Sequence, residues 1–151
     1  MLILVLTAST LFQAGGAAPS SKSEAPQTAN SDKKPEPLGM LEMLNTTEGV
    51  DFGPYLRDVF LAIRKQWFAN LPSSVRKGEQ GWDKVEVCIL RDGTVPKDCL
   101  QVVDGSKKGD FDETSLRAVR EAAPFAKLPA EFSQPQIVLR MLFHYNMKPQ
   151  K

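Results

Sequence analysis

The sequence has little of what most enzyme sites require. Among its 151 residues there is one histidine, His144, and there are two cysteines, Cys88 and Cys99. The histidine lies in an apolar run with no acid or thiol beside it. The cysteines do not have the C-x-x-C spacing of thiol–disulfide enzymes, and neither a glycine-rich phosphate loop nor a nucleophile elbow is present. We therefore expect no enzymatic activity, no metal site and no cofactor.

An excess of charge of one sign is also missing. The formal net charge is +1, from 19 Lys and Arg against 18 Asp and Glu. Nucleic-acid binding is typically driven by a basic face, so we expect no nucleic-acid partner. The acids Asp104, Asp110, Asp112 and Glu113 lie near one another in sequence, but their spacing matches no calcium loop. Loop solvation and helix capping account for them.

The N-terminal segment, "MLILVLTASTLFQAGGAAPSS", is an apolar run followed by small residues. This order is typical of a secretory signal, with cleavage near Gly16 or Ala17. No Lys or Arg precedes the apolar core, so a weak uncleaved anchor and a start upstream of Met1 remain alternatives. We expect residues 1–18 to be a signal peptide or anchor, to carry any membrane association, and to place the rest outside the cytoplasm.

Residues 19–50 differ in composition from the remainder of the chain. Their first part is rich in Pro, Ser, Ala, Lys and Glu without periodicity, so it cannot bury enough apolar surface to offset the entropy of ordering. We interpret residues 19–50 as a flexible tether, in which only "LGMLEML" is apolar enough to dock. A globular domain is predicted for residues 51–147, followed by a tail of residues 148–151.

Two helices are predicted in the globular part. The first runs from about residue 51 to 70, with Pro54 in its first turn and with an apolar stripe at intervals of four: Tyr55, Val59, Ile63 and Trp67. The second is "FDETSLRAVREAAP", with Asp112 as its expected N-cap.

Between the helices lies "WDKVEVCILRDGTVPKDCLQVV", which predicts a hairpin. Apolar residues alternate with polar ones, and Asp92-Gly93 supplies a turn. Val85, Val87 and Ile89 form the expected inward face, continued by Leu100 and Val102. Cys88 and Cys99 would both project from the outer face, directly or diagonally opposed. A cross-strand disulfide is feasible if they are close enough; two separate half-buried thiols are the alternative.

The last segment, "IVLRMLFHYNM", predicts a long strand. Ile137, Leu139, Met141, Phe143 and Tyr145 share one face, and Val138, Arg140, Leu142 and His144 share the other. The order helix–strand–strand–helix–strand indicates a two-layer α+β domain, with two helices on a three-stranded antiparallel sheet. The helix stripe is expected to pack on the inward face of that sheet.

A long terminal strand at a sheet edge needs cover or a partner. Cover by the N-terminal arm or by a second copy is one interpretation. Docking of an extended peptide by strand addition is the other. Composition alone does not separate them.

Four segments in order carry a resemblance to a known family: "DFGPYLRDVFLAIRKQWFANLP", "VEVCILRDGTVPKDCLQVVDGS", "DETSLRAVREAAPFAKLPAEF" and "IVLRMLFHYN". Together, over about residues 51–147, they resemble the C-terminal periplasmic domain of the TonB/TolA class of energy transducers. The resemblance implies a protein–protein interaction domain of the cell envelope, which couples a proton-driven motor in the inner membrane to transmembrane transport.

The resemblance also implies a site. The last strand would pair with a short segment of an outer-membrane transporter, so an envelope protein or extended peptide is the expected partner. The residues of this edge are Ile137, Val138, Leu139, Arg140, Met141, Leu142, Phe143, His144 and Tyr145. Their backbone would do the pairing, with side chains such as Val138, Arg140 and Leu142 setting selectivity. A stand-alone periplasmic module that forms a homodimer through this edge, without a transport role, is the alternative.

Overall fold

The structure, a computed structural model, describes residues 40–147. The expected leader (residues 1–18), most of the predicted tether and the tail of residues 148–151 lie outside the described residues. Within residues 40–147, no helix is long and apolar enough to cross a membrane. The elements in chain order are β1 (Leu41–Met43), α1 (Gly53–Ala69), α2 (Ser73–Arg76), β2 (Gly81–Leu90), a 3-10 turn (Lys97–Cys99), β3 (Leu100–Gly105), α3 (Gly109–Ala122) and β4 (Gln136–Tyr145).

The sheet is antiparallel, with the strand order β1-β4-β2-β3. The predicted α+β fold is confirmed, but the sheet has four strands where three were expected. The additional strand, β1, comes from the "LGMLEML" segment that was assigned to the tether. Its first and last residues, Leu41 and Met43, are each 1% exposed. Burial of these side chains in the common core explains why so short a segment pairs with the sheet.

Helix α1 carries an apolar stripe close to the predicted one. Its buried residues are Leu56, Val59, Ile63 and Trp67. The Trp67 ring lies edge-on to Phe143 and Tyr145, with centroids 5.6 and 5.4 Å apart. The expected packing of the helix on the sheet is therefore found, with Leu56 in the place that was assigned to Tyr55.

Tyr55 lies at the margin of the core and is half-buried. Its hydroxyl donates a hydrogen bond to the carbonyl of Ala126 at 2.8 Å. Burial raises the pKa of this phenol to about 12. The side chain thus fastens α1 to the segment that leads into β4.

Helix α3 begins earlier than the sequence predicts. Its N-cap is Lys108, so Asp112 lies inside the first turn, and the predicted N-cap is wrong. An acid in the first turn still favours the helix through its interaction with the helix dipole. Phe111 is fully buried, and its ring stacks on Tyr145 with centroids 4.3 Å apart. The stack joins α3 to the end of β4.

The connection between β2 and β3 is longer than a two-residue turn, because the 3-10 turn precedes β3. Gly93 has φ of +88°, and a Cβ at this position would collide with the carbonyl of Phe125. The Phe125 amide donates to the Gly93 carbonyl at 2.8 Å. Glycine is required here both for the backbone angle and for this close approach.

Candidate partner-binding edge

All nine residues of the predicted site lie in one strand, β4. Its side chains alternate strictly between the core and the outer face of the sheet. The core-facing residues are at most 1% exposed: Ile137, Leu139, Met141, Phe143 and Tyr145. The outer residues are half-buried: Val138, Arg140, Leu142 and His144. The side chains available to a partner on this strand are therefore those of the second group, as the alternation predicts.

The two neighbours of β4 are very different in length. Strand β2 pairs with β4 over ten residues, from Gly81 opposite Tyr145 to Leu90 opposite Gln136. Strand β1 pairs with three residues: Leu41 opposite Met141, Glu42 opposite Arg140 and Met43 opposite Leu139. The expectation that β4 forms the edge of the sheet is corrected by this topology, because β1 lies outside it. Cover by the N-terminal arm is one of the two interpretations left open by the sequence.

Backbone groups of β4 divide between these neighbours. Leu142 N–H donates to the Met40 carbonyl, and Leu44 N–H donates to the Val138 carbonyl, each at 2.8 Å. Since both backbone groups of a strand residue point to the same side and alternate along the chain, the even-numbered residues face β1. The odd-numbered residues face β2. Each neighbour can thus be disturbed without removing the hydrogen bonds to the other.

The segment after β1 is fastened to the segment before β4. Asn45 Nδ2 donates to Gln134 Oε1 at 2.9 Å. Glu48 accepts hydrogen bonds from the backbone N–H and the hydroxyl of Ser133, at 2.7 and 2.8 Å. These two bonds lower the pKa of Glu48. The chain is therefore held independently at residues 45–48, directly beyond β1.

An ion pair crosses the outer face beside the middle of β4. Arg140 Nε and Nη2 lie 2.9 and 2.5 Å from Glu86 Oε1 on β2. The Arg140 and Glu86 side chains are 39% and 23% exposed, so solvent screens the pair and its contribution to stability is small. The pair draws the guanidinium from β4 toward β2, which is the neighbour on the side away from β1.

His144 stands opposite Trp82 on β2. Its Nδ1 is buried and has no hydrogen-bond partner among residues 40–147. No group of three His, Cys, Asp or Glu side chains in this range is arranged to hold a metal ion. What the described site offers a partner is strand backbone with flanking side chains.

Cys88 and Cys99 form a disulfide, with Cα atoms 5.5 Å apart. Cys88 is near the end of β2, opposite Val138 of β4, and Cys99 ends the 3-10 turn. Of the two arrangements left open by the sequence, the structure contains the bonded one. The bond ties the return chain of the hairpin to the outer face of the sheet.

One polar cluster was missed by the sequence reasoning. Asp83 on β2 is fully buried and accepts a hydrogen bond from the Ser115 hydroxyl at 2.9 Å. Ser115 Oγ also lies 2.6 Å from the Tyr145 hydroxyl, which donates to the Phe111 carbonyl at 3.0 Å. The signal was available, since Asp83 is in phase with the inward-facing residues that come after it on β2.

Desolvation by burial raises the pKa of Asp83 to about 7, although the hydrogen bond from Ser115 opposes this shift. The neighbouring acids Asp112 and Asp110 contribute to the same upward shift of this pKa. Burial also raises the pKa of Tyr145. The cluster joins β2, α3 and the end of β4 beneath the sheet, on the side away from β1.

Comparison with known proteins adds a family match and a fold match. A family model described as the Gram-negative bacterial TonB protein C-terminal domain matches residues 72–147. The NMR solution structure of the TonB C-terminal domain of Helicobacter pylori, residues 179–285 of that protein, superposes with a TM-score of 0.51. The match covers 68% of this chain and 88% of that one at 22% identity. No protein of curated function matches the chain significantly.

Proposed function

The chain belongs to the family of TonB C-terminal domains, and from this premise we propose that it binds an extended segment of an outer-membrane transporter by strand addition beside β4. Domains of this family are periplasmic, non-enzymatic interaction domains associated with TonB-type transport. The proposal for this chain adds the site, the mode of binding and a periplasmic location that is reached through the N-terminal leader or anchor.

The observation that carries the proposal is the unequal pairing of β4. On one side β2 fills the whole strand, and on the other β1 fills only three positions. Strand addition needs a row of backbone N–H and C=O groups that a second chain can reach. The even-numbered residues of β4 supply such a row when β1 leaves, since Val138, Arg140 and Leu142 are the residues whose backbone faces β1. The residues of this row also present the half-buried side chains on the outer face, which would contact the neighbours of the bound segment.

Replacement of Arg140 tests this site. Arg140 is one of the even-numbered residues, so its N–H points away from β2. Arg140→Pro removes that N–H and leaves the hydrogen bonds to β2 in place. Arg140→Ala is the matched control, because it loses the same ion pair with Glu86 but keeps the N–H.

We would measure binding of synthetic peptides that represent extended segments on the periplasmic side of outer-membrane transporters from the same organism. Isothermal titration calorimetry on the full chain is suitable. We expect at least one peptide to bind the parent and Arg140→Ala and to lose measurable binding to Arg140→Pro. Equal binding to both variants, or no binding by any peptide, would contradict the proposal. Circular dichroism of each variant shows whether the fold is retained.

The alternative of a dimerising module without a transport role uses the same edge. In this structure β1 is supplied in cis, so two copies would have to exchange strands to pair there. Mass measured by light scattering over a hundredfold range of concentration separates the two functions. A tight dimer whose edge admits no transporter peptide would favour the dimerising module.

A further inference from the structure

We propose that β1 is an internal competitor for the partner site, and that the segment which replaces it carries apolar residues at two alternate positions. This inference rests on the proposed function, because it concerns the same edge of β4. It adds a regulating element and a chemical requirement for the partner.

Strand β1 can leave its place beside β4 without unfolding the rest of the domain. It is three residues long, whereas the β2–β4 ladder spans ten. Directly after it, Asn45 and Glu48 are held by Gln134 and Ser133. A short strand that is followed by a fixed anchor can open locally, since opening costs less free energy where fewer hydrogen bonds and buried side chains must separate.

The site beneath β1 accommodates two apolar side chains. Leu41 and Met43 are each 1% exposed and belong to the same core cluster as Met141 and Leu139, their neighbours in register. Departure of β1 would open two apolar pockets, and a replacing strand must refill them. Glu42 lies between them and opposite Arg140, on the outer face, where a polar residue is tolerated. The partner class is therefore an extended segment, antiparallel to β4, with apolar residues at the two positions equivalent to Leu41 and Met43.

Strand β1 and strand β4 belong to the same chain. Because β1 is part of the same chain, it competes at an effective concentration of roughly millimolar or more. An external segment binds only the fraction of molecules whose edge is open, so its apparent affinity is reduced by that fraction. Weakening β1 must then strengthen external binding. Simple damage to the site would have the opposite effect.

The experiment uses the full chain and a fluorescently labelled peptide with the sequence of residues 38–46, LGMLEMLNT, with both termini blocked. The variant Leu41→Ala/Met43→Ala is expected to bind it about tenfold or more tightly than the parent, because the internal strand is weakened while the edge of β4 is intact. Leu44→Ala is the control, since Leu44 follows β1 and is 36% exposed. Unchanged or weaker binding by the double variant would overturn the proposal.

A second variant closes the edge instead of opening it. The alternation of hydrogen bonds makes Glu42 and Arg140 a hydrogen-bonded pair, for which Cα atoms lie about 5.5 Å apart, a separation that a disulfide can span. Glu42→Cys/Arg140→Cys is expected to lose peptide binding when oxidised and to regain it on reduction. The parent under the same reductant controls for the Cys88–Cys99 bond. Binding to the oxidised variant at the parent's affinity would overturn the proposal.

The chemical requirement is tested with a peptide whose residues equivalent to Leu41 and Met43 are serine. It is expected to show no measurable binding to the Leu41→Ala/Met43→Ala variant, and binding equal to that of the unchanged peptide would overturn the requirement for apolar residues.

Failure of the two proposals is distinguishable. If transporter peptides bind and respond to Arg140→Pro but the double variant gains nothing, only the competitor fails. If the arm peptide exchanges but no transporter peptide binds, only the proposed function fails.

Discussion

The two sides of β4 are held in different ways. Toward β2, the strand has a ten-residue register, and beneath it lie the rings of Trp67 and Phe111. Toward β1, it has three paired residues and two buried side chains. Both neighbours are antiparallel strands with the same type of hydrogen bond. The difference lies in the length of the register and in the apolar area that is buried with it.

This difference separates the part of the domain that fixes the fold from the part that can take a partner. Each backbone hydrogen bond between strands contributes little net stability, because it replaces a hydrogen bond to water. A strand with few buried side chains is therefore the easier one to replace. A protein that binds by strand addition needs such a replaceable neighbour next to a strand that stays in place. Strand β4 has one neighbour of each kind.

The largest loss of stability is expected from a change on the well-held side of β4, the side that faces β2. Phe143→Ala removes a fully buried ring that contacts Trp67, and we expect it to lower the free energy of unfolding by about 3–5 kcal/mol. Equilibrium urea denaturation followed by tryptophan fluorescence measures this. Leu142→Ala, one residue along on the outer face, is the control. A loss below about 1 kcal/mol for Phe143→Ala would mean that the core does not fix this side, given the usual cost of such cavities.

An intermediate effect concerns the polar cluster under the same side. The folded-state pKa of Asp83 is about 7 against an ordinary value of 3.8. The stability that this group contributes is therefore complete below about pH 4 and is lost as the pH rises through 7. Asp83→Asn should flatten the pH dependence of stability in that range and should be more stable than the parent at pH 8, by about 1–3 kcal/mol.

Denaturation curves at pH 4, 6 and 8 check this expectation. Asp98→Asn is the control, because Asp98 is an exposed acid of the 3-10 turn. An unchanged pH profile in Asp83→Asn would show that the buried carboxyl is not the responsible group.

The smallest effect is expected on the outer face. Arg140→Ala removes the screened ion pair with Glu86 and should cost less than about 1 kcal/mol. Denaturation of the parent and of Arg140→Ala at low and at high salt shows how much of this loss of stability is electrostatic. A larger loss would show that the outer face contributes to holding β4, and the contrast between its two sides would be weaker than we describe.

Much of the well-held side could be predicted from the sequence. The alternation from Ile137 to Tyr145 determined which face of β4 is buried, because a strand has a period of two. The stripe of α1 was nearly correct, but Tyr55 and Leu56 both lie at helical spacing from Val59. Only the tertiary environment decides between them, and it places the Tyr55 hydroxyl near Ala126.

The weakly held side could not be predicted in the same way. Three residues carry too little periodicity to identify β1, and its burial depends on a strand almost a hundred residues away. Whether Cys88 and Cys99 are close enough for a disulfide depends on how β2 and β3 are aligned. A turn at Asp92-Gly93 does not define this alignment, because it does not predict the 3-10 turn that contains Cys99. On the other side of β4, Asp83 is in phase with the inward face of β2 but is polar, and the groups that satisfy it there, Ser115 and through it Tyr145, lie on other elements that the sequence does not bring together.

Hydrogen exchange of the β4 amides can show whether β1 is held less firmly than β2. Odd-numbered amides report on β2 and even-numbered ones on β1, so one NMR experiment on the full chain compares both neighbours within a single strand. We expect the amides of Arg140 and Leu142 to exchange by local opening at least about tenfold faster than those of Leu139 and Met141. Equal protection of the two sets would contradict this expectation, because β1 would then be as firmly held as β2.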